Sequence, residues 1–208
     1  MNLLHVASIA TGSYLIGSIP VAYLITRLLT GRDIRRLGTG NVGVMNTIRQ
    51  AGFPAGMLAF VGEGSKGAAA YALGRSLSNN DERLILLSGL AAMIGVNWSI
   101  FLRFAGGRGT TLGTFLCAII AWKIVVLGAV VWLIAYIAFR ESFQATRANI
   151  ILLPATALVA SHDLTIVAFV ALGSIILLLR HRRETDDHLR LVEARVPVDG
   201  DRFTGPSD

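Results

Sequence analysis

The residues from Leu3 to Thr30 form one apolar run in which Arg27, near the end, is the only Lys, Arg, Asp or Glu. About 20 such residues cross the hydrocarbon core of a bilayer as a helix. The run therefore predicts a membrane-spanning helix and makes lipid the solvent for the rest of the chain. Met1 to Ala10 lacks the basic stretch that opens a secretory signal, so we expect the segment to be retained. Gly17 and Pro20 predict a kink, which is tolerated where a neighbouring helix or a cavity serves the freed carbonyls.

Further apolar runs cover Pro54 to Leu73, Leu84 to Leu102, Thr110 to Ala121, Ile124 to Phe139, Ala148 to Ala160 and Leu164 to Leu179. The fold class expected is thus all-α integral membrane with about seven transmembrane helices. The last four runs are shorter than a straight span requires, so some are broken, tilted or fused, and fusion into two long helices gives five. Either count is odd and places the termini on opposite sides. With 53% of the 208 residues hydrophobic and only 15% charged, no polar stretch is long enough to fold a second domain. Residues 1–183 read as one polytopic membrane domain. Residues 184–208, with mixed charges and Pro197, Gly200, Gly205 and Pro206, read as a loosely ordered polar tail.

The basic residues orient the chain. One side receives Arg32, Arg35, Arg36, Arg49, Arg103, Arg108, Arg140, Arg147 and the arginines from Arg180 onward, against Arg75, Arg83 and Lys123 on the other. The positive-inside rule puts the amino terminus outside and the carboxyl terminus in the cytoplasm. This placement also accounts for the net charge of +6 without nucleic acid as a partner. Cys117, the only cysteine, excludes an intramolecular disulfide and a multi-cysteine metal site.

On the cytoplasmic side, Gly38, Gly40 and Gly43 have the spacing G-x-G-x-x-G. A dinucleotide fingerprint needs a preceding strand and a βαβ unit, and here a spanning helix precedes the glycines. The remaining chemistry is that of a nest, in which glycines let successive N–H groups face one anion. Thr39 and Asn41 add side-chain donors, and Arg49 adds a planar fork suited to phosphate. The alternative is a plain turn whose arginines mark the inner face. A second stretch, Gly106, Gly107 and Gly109 around Arg108, opens the next apolar helix and offers another anion site. It lacks the Walker ending. Two such loops suggest two phosphates, or one held from both sides.

Glu63 and Lys66 lie mid-run, three residues apart, and mark either a functional cavity or a self-neutralising pair between helices. Gly64 and Gly67 fit close helix packing. Trp98 reads as an interface anchor, and His181 as either a snorkelling group or a site residue.

Taken in order, "GSIPVAYLI", "DIRRLGTGNVGVMNTIRQAG", "SKGAAA", "FLRFAGGRGTTLG" and "LLLRHRRE" resemble the PlsY family, bacterial acyltransferases that use acyl phosphate. The resemblance runs from Gly17 to about Leu191. It implies a seven-helix enzyme of the bacterial inner membrane with its active site facing the cytoplasm. Its partners would be acyl phosphate, glycerol 3-phosphate and membrane lipids, its product lysophosphatidate, and it would use neither metal nor other cofactor. A phosphate oxygen of the donor would serve as base. No protein partner is indicated.

Residue by residue, Gly38-Thr39-Gly40-Asn41 matches the family's G-S-G-N, and Arg49 matches its following arginine. In the family's K-G-G-K-G, Ala105 stands for the first lysine and Arg108 for the second. Lys66 and Gly67 match K-G, with Glu63 where aspartate is usual. Gly95-Val96-Asn97-Trp98-Ser99 replaces G-H-x-[FY]-P, and Thr146-Arg147-Ala148-Asn149-Ile150 replaces T-R-Y-x-S. His181 matches H-R-x-N, with Glu184 for the asparagine. The resemblance thus implies Thr39, Asn41, Arg49, Arg108 and His181 as catalytic residues. Gly38, Gly40, Gly43, Lys66, Gly106, Gly107 and Gly109 would bind substrate phosphate. Two alternatives stay open: the same chemistry on another phosphorylated acceptor, and a non-catalytic chain that holds a lipid precursor or a partner protein.

Overall fold

The computed structural model describes residues 3–181, which are all-helical: α1 (Leu3–Ser18), α2 (Val21–Thr30), α3 (Val44–Ala51), α4 (Phe53–Leu77), α5 (Glu82–Asn97), α6 (Thr110–Phe139), α7 (Ser142–Ser161) and α8 (Leu164–His181). The polar tail, with Glu184, lies outside the described residues. Local signals set several ends. Pro54 occupies the first turn of α4, where its missing N–H costs nothing. Asp81 caps α5 by accepting from Arg83 N at 3.0 Å, and Asp163 caps α8 by accepting from Thr165 N at 2.7 Å.

Among the described residues, five segments are long and apolar enough to cross a membrane: Leu3–Thr30, Glu82–Leu102, Thr110–Phe139, Ser142–Ser161 and Leu164–His181. α4 has the length, 25 residues, but Glu63, Lys66 and its many small residues dilute its apolar character. Large apolar side chains such as Leu28, Val130, Ile134, Ile137, Ile151, Leu172 and Ile175 point outward. Lipid would solvate such a surface, which water would not.

The first run breaks at its expected kink, and two later runs are joined in one element. The first is a pair of helices, α1 and α2, parted at Ile19 and Pro20. The runs either side of Trp122 form one element, α6, interrupted at Ala121, whose φ of −155° and ψ of 85° are extended. A straight helix of 30 residues is about 45 Å long. Yet Thr110 at its start and Trp132 near its end line one crevice, as do Gly113 with Gly128 and Cys117 with Ile124. α6 is therefore kinked at Ala121, and both of its arms face the crevice.

α5 lies at the centre, packed on α1, α4 and α8, while α4 also meets α6, and α7 bridges α6 and α8. Ala92, Met93, Leu112, Leu116, Ile124, Ile150, Phe169 and Val170 form the main core. A Cβ at Gly67 would come within 3.0 Å of Leu112 O, so the small face of α4 sets its approach to α6, as its pattern predicted.

The break in the first run explains the buried ion pair. Pro20 cannot donate a backbone hydrogen bond, which frees carbonyls at the end of α1. Lys66 Nζ donates to Gly17 O at 3.0 Å and Ile19 O at 2.8 Å, and pairs with Glu63 Oε2 at 2.6 Å. Glu63 Oε1 accepts from Ala22 N in the first turn of α2 at 3.3 Å. The cation thus sits at the negative end of one half-helix and the carboxylate at the positive end of the other.

Candidate active site

The loop after α2 is built as a rigid shelf. Asp33 accepts from Arg35 N at 3.0 Å and pairs with Arg35 Nη2 at 2.6 Å, which holds the Asp33 carboxyl below the usual carboxylate range. Ile34 is fully buried beneath this turn. Gly38 and Gly40 follow with φ of +54° and +72°, the left-handed region that glycine enters freely. Gly40 N–H donates to Leu37 O at 2.9 Å, and Thr39 Oγ1 accepts from Asn41 N at 3.4 Å.

Asn46, 2% exposed, ties the loop to α3. Its Nδ2 group donates to Ile34 O at 3.4 Å and to Leu37 O and Asn41 O at 3.0 Å each. Asn46→Ala leaves these carbonyls without that donor and is expected to cost about 1–3 kcal/mol. Thermal unfolding in detergent checks this; an unaltered midpoint would show that the loop stands without the tie.

The second loop meets the first from the side. Gly107 N–H donates to Val96 O at 2.9 Å, while Arg180 Nη2 donates to Gly106 O at 2.7 Å and Arg180 Nε to Gly107 O at 3.3 Å. A Cβ at Gly106 would stand 2.2 Å from Val96 O, and one at Gly107 would stand 2.3 Å from Val42 O. Only glycine permits this approach. Gly109, with φ of +73°, then turns the chain into α6.

Between the loops, α7 and the end of α8 is a cavity of about 670 Å³. Thr39, Asn41, Gly43, Arg49, Arg108, Gly109 and His181 line it, as do Thr110 and Thr111 in the first turn of α6. No side chain caps the amino end of α6, so its N–H groups add positive potential beside the two arginines. His181 is buried, and its ring stacks on Phe143 with centroids 5.8 Å apart. Glu63, Glu141, Ser142, Gln144 and Thr146 are also among the lining residues.

The remaining candidates stand elsewhere. Gly38 and Gly40 shape the loop from outside the lining, and Gly43 has an ordinary extended φ of −161°. Lys66 does not line the cavity, and its three donors are engaged by Gly17, Ile19 and Glu63, the self-neutralising arrangement that was one of its two readings. Gly106 and Gly107 also lie off the lining, and their carbonyls, with the Gly107 N–H, are engaged within the protein. That loop therefore presents Arg108 and the α6 end instead of a glycine nest. At Trp98, read as an interface anchor, the Arg180 guanidinium lies 5.9 Å from the ring centroid. Asn46 and Arg180 were not among the candidates. The position of Arg180 beside His181 was their one signal, hidden because juxtamembrane arginines also mark topology.

A family model described as glycerol-3-phosphate acyltransferase matches residues 7–190. The chain belongs to this family. It is 43% identical over 141 residues to glycerol-3-phosphate acyltransferase 2 of Moorella thermoacetica, covering 65% of this chain and 72% of that protein. It is 31% identical to the glycerol-3-phosphate acyltransferase of Caulobacter vibrioides over 191 residues, 91% of this chain and 85% of the other. Among solved structures, it is similar to the crystal structure of PlsY, an integral membrane glycerol 3-phosphate acyltransferase, in the glycerol 3-phosphate form. That match has a TM-score of 0.76 and 25% identity, covering 91% of this chain and 93% of that one. As a member of the glycerol-3-phosphate acyltransferase family, the chain is an integral membrane protein.

Proposed function

We propose that this chain transfers a fatty acyl group from acyl phosphate to the 1-hydroxyl of glycerol 3-phosphate, giving lysophosphatidate for phospholipid synthesis. One observation carries the reading beyond family membership. The arginine-lined cavity shares Thr110 and Thr146 with an apolar crevice of about 300 Å³ between α6, α7 and α8, lined by Val125, Ile150, Leu153, Phe169 and Val170 among others. An acyl phosphate is divided the same way, an anionic head on an apolar chain. Its head belongs beside Arg49 and Arg108 and its chain in the crevice.

In the transfer, the acceptor hydroxyl oxygen bonds to the acyl carbon and the bond from that carbon to the phosphate oxygen breaks. The hydroxyl proton passes to a phosphate oxygen, and the step balances without a protein nucleophile. Arg49, Arg108 and the α6 N–H groups neutralise phosphate charge, Thr39 and Asn41 orient phosphate oxygens, and His181 on its Phe143 support positions the reacting head. The barrier then falls through positioning and charge stabilisation.

The topology we propose has seven crossings. The cavity draws on the loop after α2, the loop after α5, the start of α7 and the end of α8. These meet on one face if α4, α5, each arm of α6, α7 and α8 cross in turn after the first run. Lysine and arginine placement favours the cytoplasm for that face, in a bacterial inner membrane, with the amino terminus outside and residues 184–208 as a cytoplasmic tail.

Labelled glycerol 3-phosphate, offered to the purified protein in lipid with acyl phosphate, acyl-CoA or acyl carrier protein, tests the reading. Lysophosphatidate with acyl phosphate is the expected result. No product with any donor from folded protein, or uptake of label into vesicles without product, would overturn it.

A further inference from the structure

We propose that Arg180 is a positioning residue which holds Arg108 in register with substrate phosphate, acting through the Gly106–Gly107 backbone. The proposal rests on the phosphate-binding role assigned to Arg108 in the proposed function. Arg180, the residue before the last of α8, is 8% exposed and does not line the cavity. Its guanidinium is instead directed at the second loop, donating to Gly106 O at 2.7 Å and Gly107 O at 3.3 Å, with the Trp98 ring 5.9 Å away.

These contacts fall on the residues that lead into Arg108. The Gly107 N–H is held by Val96 O from α5, and the Gly107 carbonyl is held by Arg180 from α8. Immediately after Arg108, Gly109 turns left-handed into α6. Arg108 therefore leaves a backbone clamped on both sides, and its direction into the cavity is set before any substrate arrives. The last two residues of α8 divide the work: one clamps the loop and the other lines the cavity.

A planar fork suits this task. One guanidinium reaches two carbonyls from adjacent nitrogens while lying over an aromatic face, whereas an ammonium is a single point donor. The loop tolerates little adjustment, since a Cβ at either Gly106 or Gly107 would collide with backbone oxygen. Loss of the clamp should therefore shift Arg108 and leave its charge in place.

Arg180→Gln is expected to lower kcat/KM for glycerol 3-phosphate on the order of 10- to 100-fold, the scale of a misplaced binding group. Arg180→Lys should lie between the two. The deciding measurement is a double-mutant cycle with Arg108→Ala. If Arg180 acts through Arg108, the Arg180→Gln loss shrinks to about twofold or less once Arg108 is gone. Equal losses in both backgrounds would overturn the positioning role and leave Arg108 in the site. An Arg108→Ala variant with the parent's kcat/KM would overturn both. Should Arg180→Gln fail to fold, as judged by unfolding in detergent, Arg180→Lys in the same cycle gives the answer with the same sign.

Discussion

Replacing Arg49 with alanine is expected to lower kcat/KM on the order of 100-fold, as loss of a well-placed donor to developing charge does, while the unfolding midpoint barely moves. The two effects separate because different residues build the shelf and use it. Asn46 ties α3 to the glycine loop, and α3 packs on α4 with Ile48 close against Gly56. Arg49 instead faces the cavity beside Arg108 and the α6 end. Arg49→Lys keeps the charge without the planar fork and should recover part of the loss. Steady-state kinetics with both substrates varied is the check. A parent-like rate for Arg49→Ala would remove the first loop from the site.

The largest effect on stability is expected from Lys66→Met, about 3–5 kcal/mol, because it leaves the Glu63 carboxylate buried without its cation. It also withdraws the donor from Gly17 O and Ile19 O, where Pro20 has already interrupted the helix ladder. Glu63 and Lys66 are 5% and 4% exposed, so the carboxylate would be left largely desolvated. Glu63→Gln combined with Lys66→Met should lie closer to the parent, since a neutral side chain costs less to bury than a charge. Unfolding midpoints in one detergent, read for the single and double variants, decide this. A single variant as stable as the parent would show that the pair does not clamp α1 to α2.

The helices were legible because lipid demands long apolar runs, and part of the candidate cavity's lining was legible where chemistry is local. Arg49 and Arg108 each follow a glycine cluster on the same side of the chain, and both line the cavity. What the residues did not announce was tertiary. Ala121 has neither glycine nor proline beside it, so nothing nearby marks the kink in α6. The self-neutralising pair of Glu63 and Lys66 was one of its two readings, but its neighbours along the chain cannot show that α1 ends against Lys66. The glycines of the second loop looked like a nest, and their carbonyls instead meet Arg180 from a helix more than 70 residues away. In each case the partner is distant in sequence, where periodicity and spacing carry no information.

The most direct test of the central claim is the initial rate of lysophosphatidate formation from acyl phosphate and labelled glycerol 3-phosphate, comparing the reconstituted protein with its Arg49→Ala/Arg108→Ala variant. Product and phosphate are expected in equal amounts from the parent, and a rate at background from the variant with its fold intact. A variant that turns over as fast as the parent would contradict it, and acyl transfer would have to take place outside this cavity.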